Sequence, residues 1–185
     1  FYGGTKFMQK IQEETQEALK KLFNCEYVFF EPLSGNISLL ATIFAFTKPG
    51  DKIAVISPEV GGYPLNYSKL DRHPLYLPYD IENGEFDIEE CINLIYKERP
   101  KIIILGASLI MFPHPVRELS DIVHELNIPL IYDGSHVLGL IAGKEFQDPL
   151  QEGADVLVGS THKTFPGPQG GIILANNEEA ARALR

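Results

Sequence analysis

Lys163 is the residue in this sequence with the clearest chemical potential. It stands in the stretch Gly159-Ser160-Thr161-His162-Lys163-Thr164-Phe165-Pro166-Gly167-Pro168-Gln169-Gly170-Gly171, between the apolar runs 156–158 and 172–175. Each run reads as a short buried strand, which puts the lysine in a loop at a strand's end. Small and hydroxyl residues surround it, and glycines and prolines fix the backbone that follows. An ammonium group there can be desolvated and its pKa lowered. The neutral amine is a nucleophile, and its commonest use is a Schiff base with a carbonyl. The competing reading is an ordinary solvated surface lysine. A phosphate-cradling P-loop is set aside, because its Lys-Thr ending needs a glycine directly before the lysine and His162 occupies that place.

A second stretch, 130–136, ends an apolar strand in an acid, Asp133. An acid at one strand end beside a lysine at another is what a pyridoxal phosphate site requires, since the acid keeps the pyridine nitrogen protonated and the ring an electron sink. A third runs from the strand-like segment 27–30 through Ser34-Gly35-Asn36 into the apolar helical segment 37–46. Strand, small polar turn and helix make an anion site, with free N–H groups and the positive dipole end facing a phosphate. The same residues also read as a plain helix cap, and on local sequence alone the cap wins. Gly61-Gly62 lets a ligand approach the backbone, and Tyr63 offers an aromatic face.

The elements that must position these residues follow from the periodicity. Residues 7–23 carry apolar side chains at Phe7, Met8, Ile11, Ala18, Leu19 and Leu22, an amphipathic helix whose role is packing. Strands are expected at 52–56, 73–77, 101–105, 128–132 and 155–158, a turn-rich connection at 79–84, and helices at 87–98 and 116–126. Alternating strands and helices argue an α/β fold, a mostly parallel sheet with helices on both faces. In such sheets ligands bind beyond the carboxyl ends of the strands, where Ser34, Ser108, Asp133 and Lys163 all fall. His114 and His124 read as solvated.

The chain has 185 residues, 44% hydrophobic and 22% charged, ordinary for one globular domain. Its 16 basic and 25 acidic residues give a net charge of -9, which argues against nucleic acid or an anionic membrane as the main partner. Cys25 and Cys91 have neither metal-ligand spacing nor a disulfide framework, so they read as packing residues in a reducing compartment. With no apolar stretch of spanning length and no cleavable leader, the expected location is the cytosol. The start at Phe1 and the stop inside a helical pattern lead us to expect part of a longer protein.

Taken together, the Asp133 block, Tyr132-Asp133-Gly134-Ser135-His136-Val137-Leu138-Gly139-Leu140-Ile141-Ala142, and the Lys163 block from Ser160 to Gly171 resemble the two signature blocks of the serine hydroxymethyltransferases, fold type I pyridoxal phosphate enzymes. Tyr2-Gly3-Gly4, Ser34-Gly35-Asn36 and Gly61-Gly62 match in the same order. The resemblance implies a three-layer αβα large domain over residues 1–185, with a preceding segment and a carboxyl-terminal small domain lying outside the chain. It implies pyridoxal phosphate as cofactor, tetrahydrofolate as co-substrate, a small amino-acid substrate and a homodimer. Lys163 would carry the cofactor, Asp133 would pair with the pyridine nitrogen, and His136 and Ser108 would hold the ring oxygen. Ser34, Gly35 and Asn36 would bind the phosphate and Tyr63 would stack. His162 and Tyr2 match positions tied to the active site, Tyr2 across a dimer interface. The implied reaction exchanges a one-carbon unit between serine and glycine.

The chain departs from the family pattern in three places. Gln169 stands where the lysine block commonly has arginine, Tyr63 where a histidine usually stacks, and Gly134-Ser135 lies within the Asp block. One fold can host several reactions. A folate-independent aldolase acting on threonine or allo-threonine, and a non-catalytic domain serving subunit association, remain alternatives. The chain alone is expected to be inactive, because the family's ligand for the substrate carboxylate comes from the small domain.

Overall fold

The computed structural model describes residues 5–185. In chain order the elements are α1 (Lys6–Phe23), β1 (Tyr27–Phe29), α2 (Gly35–Phe46), β2 (Lys52–Val55), β3 (His73–Tyr76), β4 (Tyr79–Asp80), β5 (Glu85–Phe86), α3 (Ile88–Glu98), β6 (Ile102–Leu105), α4 (Val116–Glu125), β7 (Leu130–Asp133), α5 (Leu138–Ala142), α6 (Pro149–Glu152), β8 (Val156–Ser160), β9 (Gly171–Ala175) and α7 (Glu178–Ala183). Seven strands form one sheet in the order β1-β9-β8-β7-β6-β2-β3. From β8 to β3 every pair is parallel, whereas β9 runs antiparallel to both β8 and β1.

Side chains alternate across the strands, as pleating demands, and this splits the core into two layers. Ile103, Leu105, Leu130, Tyr132, Leu157 and Leu174 pack with Phe23, Cys91, Ile95, Leu119 and Val123 from α1, α3 and α4. On the other face Ile53, Val55, Ile102, Ile104, Ile131, Val156, Val158 and Ile173 meet Leu39 and Ile43 of α2 and Ala180 of α7. The fold is the expected α/β one, a mostly parallel sheet with helices on both faces. Strands buried on both sides read as unbroken apolar runs such as Ile102-Ile103-Ile104-Leu105, not as alternation.

Helix starts follow local chemistry. Asp87 caps α3 by accepting the Glu90 N–H at 3.0 Å, and Asn177 caps α7 by accepting the Ala180 N–H at 2.6 Å. Cys25 and Cys91 are buried, and burial pushes their thiols up to about 11 and about 12, so they are packing residues.

Three expectations need correction. The connection 79–84 holds a strand: β4 pairs with β5 in a short antiparallel hairpin, with the Tyr79 and Phe86 rings edge to face at 5.0 Å. Helix α1 buries Phe23, but Phe7, Met8 and Ile11 are 74%, 59% and 56% exposed, so its first half packs on nothing among the described residues. His114 is not solvated. Its Nδ1 accepts the Gly106 N–H at 3.0 Å, its ring lies 5.1 Å from Phe86, and burial lowers its pKa to about 4. The Gln147 side chain completes the restraint, accepting from the His114 N–H at 2.7 Å and donating to the His114 carbonyl at 3.1 Å. His124 is exposed as expected, 3.2 Å from Asp155. Among the described residues, no helix is long and apolar enough to cross a membrane.

Candidate active site

At the carboxyl ends of the parallel strands lies a concavity of about 140 Å³. Ser34, Gly35, Asn36, Tyr63, Ser108, Asp133, His136, His162 and Lys163 line it, together with Ala107, Ser135, Ser160 and Gln169. Nearly every residue singled out from the sequence therefore meets in one place; Tyr2 lies outside the described residues. The topology explains the convergence. Asp133 ends β7 opposite Val158 of β8, Ser160 ends β8 two residues further on, and Ser108 follows β6 on the other side of β7. Tyr63 follows β2, and α2 packs over β8 and β9 so that its first turn faces the same rim.

The first turn of α2 forms a cup. Ser34 is the N-cap, its Oγ accepting the Ile37 N–H at 3.2 Å, so the capping role read from local sequence holds. The N–H groups of Gly35 and Asn36 belong to the turn that has no intrahelical acceptor. Gly35 is required by space: a Cβ there would stand 2.7 Å from Ser135 Oγ and 2.8 Å from Ser160 Cβ. The backbone thus sits closer to the floor of the cup than any side chain would permit.

Asp133 is buried. Its Oδ1 accepts the Ser135 N–H at 3.0 Å. Burial raises its carboxyl above the ordinary range, opposed by the hydrogen bonds from Ser135 and then by the charges of Lys163 and His136. Gly106 lets β6 turn beside it. With φ +91° and the Asp133 carbonyl against its α-carbon, no other residue fits there.

Lys163 lies in the loop between the antiparallel β8 and β9. That loop is closed on itself: Thr161 Oγ1 donates to the Pro168 carbonyl at 2.6 Å, and the Gly167 N–H donates to the Thr161 carbonyl at 2.7 Å. Thr164 Oγ1 ties it to the Asp133 block, donating to the His136 carbonyl at 2.9 Å and accepting the Gly139 N–H at 3.2 Å. Lys163 Nζ is then 3.2 Å from His136 Nε2. Burial first, and the lysine charge second, lower the His136 pKa, so the imidazole accepts a hydrogen bond from the ammonium. The desolvation expected of Lys163 is not supplied by these residues, since its side chain is exposed on the open side of the concavity. His162 is exposed as well, while Tyr63 is partly buried and its hydroxyl donates to Asn36 Oδ1 at 3.2 Å.

Ser135 and Ser160 were not read from the sequence as site residues. Both are buried at the floor, with Ser160 Oγ donating to the Ser135 carbonyl at 3.2 Å. Their signal was adjacency, one two residues after Asp133 and the other three before Lys163. Gln169, noted only as a departure, reaches across with Nε2 donating to the Leu33 carbonyl at 3.3 Å.

This arrangement can hold an anion at the α2 cup, a cationic ring nitrogen at Asp133 and a carbonyl compound at Lys163. A buried carboxylate with no cation in hydrogen-bond contact among the described residues, and a cradle that a single Cβ would fill, fit the nitrogen and the phosphate of pyridoxal phosphate.

Comparison with known proteins agrees. A family model described as serine hydroxymethyltransferase matches residues 1–182. The serine hydroxymethyltransferase of Methanosphaera stadtmanae is 45% identical over 183 residues, covering 96% of this chain and 43% of that protein. That of Methanothermobacter thermautotrophicus is 45% identical over 186 residues, covering 97% and 44%, and that of Korarchaeum cryptofilum 42% identical over 201 residues, covering 100% and 46%. The chain thus spans less than half the length of these curated relatives. With residues 1–182 of its 185 matched by the family model, the chain belongs to the serine hydroxymethyltransferase family.

Proposed function

We propose that this chain is the pyridoxal phosphate-binding large domain of a serine hydroxymethyltransferase, which moves a one-carbon unit from serine to tetrahydrofolate and leaves glycine. The observation that carries the reading is the meeting of a buried carboxylate, Asp133, with Lys163 and the α2 cup around one small concavity. Pyridoxal phosphate, when bound, supplies an electron sink for carbanion chemistry at the amino-acid α-carbon.

The residues of the chain have separable tasks. The first-turn N–H groups of α2, with the side chains of Ser34 and Asn36, bind the phosphate. Asp133 would hold a proton on the ring nitrogen by charge, and its burial would make that pairing strong because little water competes. Ser108 and His136, which line the concavity, would hold the ring oxygen, and Tyr63 would supply an aromatic face to the ring. His136 Nε2, 3.2 Å from Lys163 Nζ, orients the lysine side chain toward the concavity, where its amine would meet a carbonyl. His162 lies beside the lysine on the side open to substrate. The exposed Phe7, Met8 and Ile11 of α1 support a homodimer, since an unpaired apolar helix face invites a partner.

Borohydride reduction of the protein with pyridoxal phosphate, followed by peptide mapping, tests the site. The expected result is a stable adduct on Lys163; an adduct on another lysine overturns the assignment. Cleavage of serine by the full-length protein with and without tetrahydrofolate, beside cleavage of allo-threonine, tests the reaction. Folate-dependent cleavage of serine is expected, and cleavage of allo-threonine alone would make the protein an aldolase.

A further inference from the structure

Tyr63 and Asn36 meet across the mouth of the concavity, the phenol donating to Asn36 Oδ1 at 3.2 Å. They come from different elements, Asn36 from the first turn of α2 and Tyr63 from the loop after β2, and both line the site. A primary amide is planar, with an acceptor at one end and two donors at the other. A phenol on the acceptor end therefore fixes where the donors point. Among the described residues Tyr63 is the only hydrogen-bond partner of the Asn36 side chain, so both N–H groups of that amide are left for something else. Beside them are the Gly35 and Asn36 N–H groups of the first turn of α2, which have no intrahelical acceptor, and the close backbone approach at Gly35.

We propose that the Tyr63 hydroxyl is a positioning group for the anion cup, turning the Asn36 amide so that its donors face a phosphate. The proposal rests on the reading of the concavity as a pyridoxal phosphate site. It gives Tyr63 two separable jobs, a ring face for the cofactor and a hydroxyl for the cup. The histidine that the family resemblance puts at this position has a ring face but no polar atom at the reach of a para hydroxyl. The substitution therefore adds a link between stacking and anion binding.

The two jobs separate experimentally with pyridoxal phosphate and pyridoxal, which lacks the phosphate. Affinities of the protein for both are measured in the parent and in Tyr63→Phe, Tyr63→Ala, Asn36→Ala and the double variant Tyr63→Phe/Asn36→Ala. Tyr63→Phe keeps the ring and removes one hydrogen bond, so affinity for pyridoxal phosphate should fall about 3- to 10-fold. Affinity for pyridoxal should be unchanged, which also shows that the variant is folded. Tyr63→Ala should weaken both ligands. Asn36→Ala should weaken only the phosphorylated one, and adding Tyr63→Phe to it should cost nothing more, because the coupled pair is already broken. Equal binding of pyridoxal phosphate by Tyr63→Phe and the parent overturns the proposal, as do additive losses in the double variant. A parent that binds pyridoxal phosphate no better than pyridoxal overturns the underlying reading of the cup, and is recognised without any variant.

Discussion

Replacing Asp133 with asparagine should move stability and catalysis in opposite directions. The carboxylate is buried at the end of β7 with the Ser135 N–H as a hydrogen-bond donor at 3.0 Å, and burial holds its pKa above the ordinary 3.8. For an acid whose pKa is raised by folding, the unfolded chain releases its proton first. Stability therefore falls as pH rises from 3.8 toward the folded-state value, and the loss persists at neutral pH. An amide carries no charge to desolvate and still accepts the Ser135 N–H, so the variant escapes that cost. Leaving a buried polar group short of partners costs about 1–3 kcal/mol, more when it is charged. At about 2–4 °C per kcal/mol for a chain of this size, the cofactor-free variant should melt roughly 2–12 °C above the parent at neutral pH. The gap should narrow on acidification toward 3.8 and close well below it, where the parent's carboxyl is protonated in both states. In the full-length enzyme with pyridoxal phosphate present, turnover should collapse, each tenfold loss marking about 1.4 kcal/mol of transition-state stabilisation. The assay is thermal unfolding of the cofactor-free protein across pH, beside turnover of the loaded protein. A variant that melts at or below the parent at neutral pH, or a gap that survives in acid, would refute the claim that Asp133 is held as a buried charge awaiting a cation.

Gly35→Ala places a methyl 2.7 Å from Ser135 Oγ and 2.8 Å from Ser160 Cβ, both on buried side chains. It should cost about 1–3 kcal/mol of stability and weaken pyridoxal phosphate binding; unchanged melting and affinity would contradict the geometry of the cup. His114 governs an acid limb. Its pKa falls from 6.5 to about 4 by burial, so its contribution is complete above pH 6.5 and is lost as pH falls through 4, at most about 3 kcal/mol. His114→Gln, which can still accept the Gly106 N–H, should flatten unfolding stability over that interval, and an unaltered acid limb would exclude His114 as its source.

The site was legible because its chemistry is written in short contiguous blocks. Asp133 terminates an apolar run and Lys163 sits in the loop after one, and strand-end placement in a parallel sheet is enough to bring such residues together. What surrounds them was less legible. Ser135 and Ser160 look like turn filler until the sheet register sets their strands side by side. His114 sits between two prolines in a segment that reads as an exposed loop, and its burial is conferred by Phe86, Tyr132 and Gln147, distant in sequence. The periodicity of α1 announces an apolar stripe but not what covers it, so Phe7 and Ile11 were assigned to a core they do not enter. Strand direction is likewise absent from an apolar run: nothing in Ile172-Ile173-Leu174-Ala175 says that β9 pairs antiparallel with both of its neighbours.

That antiparallel edge sets a timetable for the newborn chain. Strand β1 is made early, yet its partner is β9, and beside the pair the Glu26 N–H reaches Asn176 Oδ1 across 150 residues. The α2 cup hangs between these two strands, with Gly171 donating its N–H to the Pro32 carbonyl. Translation adds about 5–20 residues each second, so on the order of 10–30 s passes between the synthesis of β1 and the appearance of the strand that seats it. Through that interval β1 and the apolar α2 are without their final neighbours and are open to chaperones or to other nascent chains. The cup and the lysine loop, which both adjoin β9, are then completed at nearly the same moment.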